Sequence, residues 1–279
     1  MPKIAAAILD TYPNKKMAQL AMNMVSRFLQ IEKLYLFSDV PFYENAVFTK
    51  IPPITANNDY GNILLNLLPE VISEEYILIF QWDGFPLVPN NWSDEFLKFD
   101  YIGAPIRWDL TKDIGWVGNG GFSLRSRKLF QAMKSLGISI NPNDSIDQPE
   151  DELICIKHRK DLESLGIKFA TWEIADKFSF QTGQLRKDIF GFHGSDNFPF
   201  FFPEQELLNS IDDIIPRMGQ PFAVISFLMN CLKTNKVTLF RKILENYESK
   251  PNVLKAINWE SQNNPQGGFL ELVKNIVGN

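Results

Sequence analysis

Among the residues of types that move protons or hold metals, four stand in settings that could do chemistry: Asp83, Glu150, Asp151 and His193. Asp83 ends the run YILIFQWD, in which the apolar stretch Tyr76 to Phe80 gives way to Gln81 and Trp82. A carboxylate at the end of a buried strand must be solvated, paired or bound to metal. A turn residue ahead of Gly84 is the plainer alternative, and Asp83 alone does not decide between them. Glu150 and Asp151 follow Pro149 at the start of a predicted helix. Acidic residues in a first helical turn offset the helix dipole, which is the preferred reading of this pair in isolation. The same dipole lowers a carboxylate pKa and keeps the group ionised, the form a general base needs. His193 lies in FGFHGS. A lone histidine is usually structural, but the flanking Gly191 and Gly194 favour something docking there, and neutral imidazole is a good ligand for a divalent metal.

A glycine cluster adds shape to this chemistry. In GWVGNGGFSLRS, Gly115, Gly118, Gly120 and Gly121 crowd around Asn119. Without a Cβ, such a loop lets backbone approach a ligand closely. The spacing is not GxGxxG, so a dinucleotide fingerprint is absent. Trp116 offers a flat apolar face that suits a sugar ring or a base. The strand ending at Asp83 and the loop Gly118 to Gly121 read as two walls of one pocket.

Positioning these residues requires a parallel sheet. Lys3 to Leu9 reads as a buried strand, Asn14 as a helix cap, and Met17, Leu20, Ala21, Met24, Val25, Phe28 and Leu29 as one helical face. Leu34 to Phe37 follows as a strand, so the chain opens β-α-β. Further strands are expected at Phe48 to Ile51, Tyr76 to Phe80, Asp100 to Ala104, Gly121 to Arg125 and Lys168 to Trp172. Shorter β-like pieces are expected at Phe178 to Phe180 and Asp188 to Phe192. Helices are expected over Asn62 to Leu68, ended or kinked by Pro69, from the Ser126 cap to Gly137, and over Glu150 to Leu165. After Pro203 the patterning is helical, through Leu207, Leu208, Ile211, Ile214 and Ile215, then Phe222 to Leu232 and Val237 to Tyr247. A final helix is suggested by Phe269, Leu270, Val273, Ile276 and Val277. A boundary near Phe202 to Glu204 divides an α/β body, residues 1–203, from a helical appendage, residues 204–279.

The charge balance, 28 Lys and Arg against 33 Asp and Glu, leaves a net charge of -5 and no basic block, which argues against nucleic acid as a partner. No apolar run is long enough to span a membrane. Cys155 and Cys231 read as two buried free thiols, which fits a reducing compartment. A cytoplasmic location is the expectation, with room for peripheral attachment at the inner face of the membrane.

A strand-end carboxylate, a glycine loop, an acidic pair at a helix start and a late histidine, in that order, resemble the GT-A fold of nucleotide-sugar-dependent glycosyltransferases. More closely, QWDGF, DYIGAP, GWVGNGGFSLRS, PEDE and FGFHG look like a bacterial and fungal family of GT-A-like proteins long known only as a domain of unknown function. The resemblance runs from Lys3 to Phe202 and is most specific in GNGGFSLR. It implies a GT-A-like, mostly parallel central sheet flanked by helices.

On that resemblance QWD takes the place of the DxD motif, making Asp83 the metal-facing carboxylate and Gln81 and Trp82 its donor-side neighbours. Gln81 replaces the first aspartate, which removes one negative charge and sets this chain apart from strongly metal-dependent members. Gly120 and Gly121 would border donor and acceptor, Asp151 would be the general base of an inverting transfer, and Glu150 would position it or touch the acceptor. His193 would contact metal or the donor diphosphate, and the turn carrying Asp10 and Thr11 would hold the nucleotide. The implied cofactor is a divalent ion, Mn2+ or Mg2+. The implied ligands are a nucleotide sugar, such as a UDP-sugar, and a saccharide acceptor. Two other readings stay open: a non-catalytic nucleotide-sugar or saccharide-binding module, and a metal-dependent hydrolase using Asp83, Asp151 and His193.

Overall fold

The computed structural model describes residues 3–28, 30–109, 114–264, 268, 269, 271 and 273. The chain divides into two compact units, residues 1–193 and 194–279.

The first unit is built on a six-stranded sheet that starts β1 (Ile4–Leu9), β2 (Ile31–Ser38), β3 (Val47–Lys50) and β4 (Tyr76–Phe80). These strands pair in parallel in the order β3-β2-β1-β4. Of the strands that follow, β5 (Gly84–Pro86), β6 (Tyr101–Gly103), β7 (Pro105–Asp109), β8 (Ile114–Val117) and β9 (Ser123–Ser126), β9 runs antiparallel between β4 and β6 and completes the sheet. This is the mostly parallel α/β sheet expected from the sequence. All six residues of β1 are buried, as a central strand covered on both faces requires. Alternate residues Ala5, Ala7 and Leu9 join one core with Leu64, Leu68, Leu129, Phe130 and Met133. These come from the helical run α2 (Asn57–Asn62), Ile63–Leu67, α3 (Leu68–Val71) and from α4 (Arg127–Ser135), while α1 (Lys16–Ser26) packs on β2 and β5.

A second cluster is aromatic. Phe122 stacks on Phe178 with ring centroids 5.0 Å apart, and Phe190 approaches Phe28, Phe96, Phe122 and Phe178. It backs a three-stranded sheet in which β11 (Gly191–His193) lies between β10 (Ser179–Phe180) and β5.

Several sequence expectations change. Pro69 does not end its helix. The wide turn Ile63–Leu67 lets Leu68 N–H reach back to Ile63 C=O, so Pro69 falls at the start of the next turn, where its missing donor costs nothing. The helix expected over Glu150 to Leu165 is in three pieces, α5 (Glu150–Glu152), a wide turn Leu153–Lys157 and α6 (Arg159–Ser164). The wide turn buries Leu153, Ile154 and Cys155 in succession, which a regular helical face does not do. Lys168 to Trp172 is not a strand: Phe169 forms one bridge to Tyr101, and Trp172 already opens α7 (Trp172–Phe178).

The second unit contains α8 (Phe198–Phe201), α9 (Glu204–Ile214), α10 (Pro221–Lys233), α11 (Val237–Leu244) and α12 (Pro251–Asn263). The division falls before the Phe202 to Glu204 boundary read from the sequence, because α8 and the short turn Ser195–Asn197 pack on α10. The link includes a hydrogen bond from Asn230 Nδ2 to Asp196 C=O at 2.9 Å. Leu29, Leu270, Ile276 and Val277 lie outside the described residues. Cys155 and Cys231 are free and buried. Among the described residues no helix is long and apolar enough to cross a membrane.

Candidate active site

The apolar run of β4 stops at Gln81, where the chain reverses: Gln81 and Gly84 exchange backbone hydrogen bonds of 3.0 and 3.1 Å, with Trp82 and Asp83 at the tip. The returning β5 pairs antiparallel with β11 in a register that sets His193 opposite Gly84. Residues 110 positions apart in sequence thereby meet, with His193 Nε2 lying 3.9 Å from Asp83 Oδ1 and 3.2 Å from Gln81 Oε1. The other ring nitrogen, Nδ1, lies 2.7 Å from Gln181 Oε1. Both ring nitrogens thus face side-chain amide oxygens, and Nε2 is the one on the side of Gln81 and Asp83. Burial lowers the His193 pKa against the opposing pull of Asp83 and Glu150, so the ring is neutral.

The glycine loop forms the neighbouring wall. Phe122, fully buried in the aromatic cluster, anchors it from one side. A Cβ on Gly121 would overlap the His193 ring, and one on Gly120 would overlap Glu150 Oε1. Only glycine lets this strand-bound loop pass between the histidine and the acidic pair.

Beyond it, Asp151 Oδ2 accepts from Gly120 N–H at 2.9 Å and Oδ1 from Glu152 N–H at 2.9 Å. Burial, reinforced by the adjacent Glu150 carboxylate, pushes the Asp151 pKa up to about 7. This reverses the expectation from the helix dipole. Desolvation outweighs the lowering effect of the Gly120 and Glu152 N–H groups that the carboxylate accepts from. Glu150 is held by Arg125, whose Nη2 donates to Oε1 at 2.7 Å. Arg125 is 0% exposed, also donates to Ser123 Oγ and Gly120 C=O, and lies over the Tyr101 ring at 4.8 Å.

Part of this set borders a cavity of about 530 Å3, whose wall includes neither Asp83 nor Arg125. Gln81, Asn119, Gly121, Glu150, Asp151 and His193 line it, with Tyr60 and residues 54–57. Gly120 stands just behind, through its bond to Asp151. Trp116 does not serve as a ligand platform. It is 8% exposed and packed in the hydrophobic core. Gly118 likewise faces Cys155 and Tyr101 rather than the cavity. Trp82 sits on the turn beside Asp83 and is not part of the cavity wall. Asp10 is buried at the end of β1, where it accepts from Tyr12 N–H at 3.1 Å and lies 3.9 Å from Lys15 Nζ. Thr11 Oγ1 accepts from Ile54 N–H at 2.8 Å, tying that turn to the cavity rim. Sequence reading missed Tyr60 and Arg125. An arginine inside the apolar strand GFSLRS was the available signal, since a buried cation needs a partner.

Asp83 and His193 are of types that ligate divalent cations, and a hydrogen-bonded Nδ1 is the usual support of a ligating histidine. Among the described residues no third His, Cys, Asp or Glu joins them as a metal-holding group.

No curated protein matches the sequence. Among solved structures, the mannosyltransferase PcManGT from Pyrobaculum calidifontis, in complex with GDP-Man and Mn2+, is 10% identical over 100% of this chain and 81% of that one, with a TM-score of 0.41. Glucosyl-3-phosphoglycerate synthase from Mycobacterium tuberculosis, in complex with Mn2+ and UDP-glucose, is 12% identical over 55% of this chain and 74% of that one, with a TM-score of 0.34. Likenesses this distant assign no function. The family is fixed by sequence: residues 48–193, more than half the chain, match the model described as protein of unknown function DUF5672, and the chain belongs to that family.

Proposed function

We propose that this chain is a glycosyltransferase that moves a sugar from a nucleotide-sugar donor to a hydroxyl of a saccharide or other acceptor, inverting the anomeric carbon. The observation that carries the reading is the placement of Asp151. Its carboxylate lines the cavity, fixed by two backbone N–H groups, and titrates near neutrality, as a general base should. In the step proposed, Asp151 takes the acceptor hydroxyl proton as the oxygen attacks the anomeric carbon. The new C–O bond forms as the bond to the diphosphate breaks, and its electron pair leaves with the nucleoside diphosphate. Arg125 donates to both Glu150 and Gly120 C=O, and Glu150, so held, would position the adjacent Asp151 or touch the acceptor. Asp83 and His193 would hold a Mn2+ or Mg2+ ion, whose charge, when bound, stabilises a departing diphosphate. The turn at Asp10 and Thr11, tied to Ile54, is the proposed nucleotide side.

The test is a thermal-shift screen of nucleotide sugars with and without Mn2+, followed by transfer assays on Asp151→Asn. A ligand that binds only the native state raises its stability. The variant is expected to keep the donor-induced shift and lose ~10²–10⁴-fold in turnover. Near-normal turnover would remove Asp151 from the base role, and no shift with any nucleotide sugar would refute the reading as a whole.

A further inference from the structure

Asn119 carries an amide of which the fold uses one half. Its backbone faces the sheet: the N–H donates to Ala104 C=O at 2.9 Å, and the carbonyl oxygen lies against Gly103, where a Cβ would overlap it. The side chain is therefore the part of Asn119 that reaches the cavity wall, and the residue as a whole is only 8% exposed. Gly121 N–H donates to the side-chain oxygen at 3.0 Å, closing a tight turn over Gly120. An N–H can only donate, so the atom it meets is Oδ1, and the other end of the amide is the NH2 group. Nδ2 makes no hydrogen bond among the described residues, and, unlike Tyr60 Oη and Arg125 Nη1, it is not sealed from solvent. The turn itself needs only an oxygen, which aspartate or serine would also supply. A donor group thus stands on a fixed, nearly buried side chain at the cavity wall, with no acceptor among the described residues.

We infer that Asn119 Nδ2 donates a hydrogen bond to a hydroxyl of the acceptor sugar, the one beside the hydroxyl that Asp151 deprotonates. The inference rests on the sugar-transfer reading and deepens it by giving the acceptor two recognised hydroxyls. The loop supplies the geometry. Gly120, next after Asn119, donates its N–H to Asp151 Oδ2 at 2.9 Å, and a Cβ on it would come within 3.1 Å of Asp151 Cβ. The amide donor and the carboxylate are thereby tied to consecutive residues of one turn, and both line the same cavity. Asp151 acts on the acceptor, so the donor group mounted beside it is assigned to the acceptor as well. Neighbouring sugar hydroxyls match the pair: one donates to the carboxylate as it attacks, while the next offers an oxygen lone pair to the amide. Holding the second hydroxyl fixes the ring about the first, which orients the attacking oxygen.

The experiment uses the full-length protein, Asn119→Ser and Asn119→Asp. Both variants keep an oxygen for Gly121 N–H and lose the NH2 group, so either one carries the test if the other fails to fold. Methyl glucoside, methyl galactoside and methyl mannoside are titrated by saturation-transfer NMR, and the tightest is then compared with its own monodeoxy analogues. In the wild type, removing the hydroxyl that Asn119 reads should weaken binding about three- to tenfold, the size of one lost hydrogen bond. In either variant the parent glycoside should be weaker by a similar factor. That deletion should then cost nothing further, while the other deletions cost what they do in the wild type. A residue that only shapes the turn would not couple to a single hydroxyl. UDP-glucose and GDP-mannose are measured in parallel by thermal shift with Mn2+. Every deletion costing the same in wild type and variants would overturn the inference, whatever the melting temperatures. Variants that weaken a nucleotide sugar but leave the glycoside unchanged would overturn it too, since the contact would then lie on the donor. No glycoside binding to the wild type also overturns it, and the sugar-transfer reading falls with it only if no nucleotide sugar raises the melting temperature.

Discussion

At Gly121 the loop has room for a hydrogen and nothing larger. The position a Cβ would occupy falls on the His193 ring, whose Nδ1 is already fixed by Gln181. Gly121→Ala must therefore displace either the imidazole or the loop that also carries Gly120 N–H to Asp151. Overpacking of this kind costs about 1–3 kcal/mol, readable as a lower denaturation midpoint at unchanged slope. The ring nitrogens of His193 should report the displacement directly, through altered 15N shifts. Wild-type shifts and stability in that variant would show that the loop does not set the histidine. The same residue explains why the carboxylate and the imidazole can share a cavity: a side chain between them would fill it.

Arg125 on β9 and Glu150 on α5 form a buried pair that fastens the acidic turn to the central sheet. Breaking one partner of such a pair leaves an uncompensated buried charge and costs about 3–5 kcal/mol, whereas replacing both with apolar side chains is far milder. Arg125→Met is accordingly expected to be strongly destabilised in urea, and Arg125→Met with Glu150→Leu to recover much of the loss. Equal destabilisation of single and double variants would show that the arginine matters through its stacking on Tyr101 instead. Elements of this kind mark the limit of what the sequence discloses. The parallel strands were legible because β1 and β4 are continuous apolar runs, and Asp83 was legible because such a run ends at a charge. The pairing of β5 with β11 was not, since three-residue strands carry no periodicity, yet that register is what brings His193 to Asp83. Trp116 misled because an aromatic beside glycines looks the same whether it faces a ligand or, as here, the core.

For the whole molecule, the acidic site ties stability to pH. Asp151 binds its proton more tightly in the folded chain, with a pKa of about 7 against an ordinary carboxylate value of 3.8. Its contribution to stability is thus fully present below about pH 4 and is lost as pH rises through 7. His193 works in the opposite sense: its pKa is lowered in the fold, so it adds stability above the ordinary histidine range that is lost as pH falls. The two trends oppose each other below the ordinary histidine range and mask each other in the wild-type profile. Asp151→Asn separates them, because it removes one titration and leaves the other. The melting temperature of the variant minus that of the wild type should therefore climb from pH 5 to pH 8. At its steepest the climb is about 1.4 kcal/mol per pH unit, which is a few degrees for a domain of this size. Turnover of the wild type should rise over the same interval, since the proton that stabilises the fold is the one a general base must lose. A melting-temperature difference that stays flat from pH 5 to pH 8 would place the Asp151 carboxyl in its ordinary range. An acid limb of turnover near pH 7 would then have to come from another group.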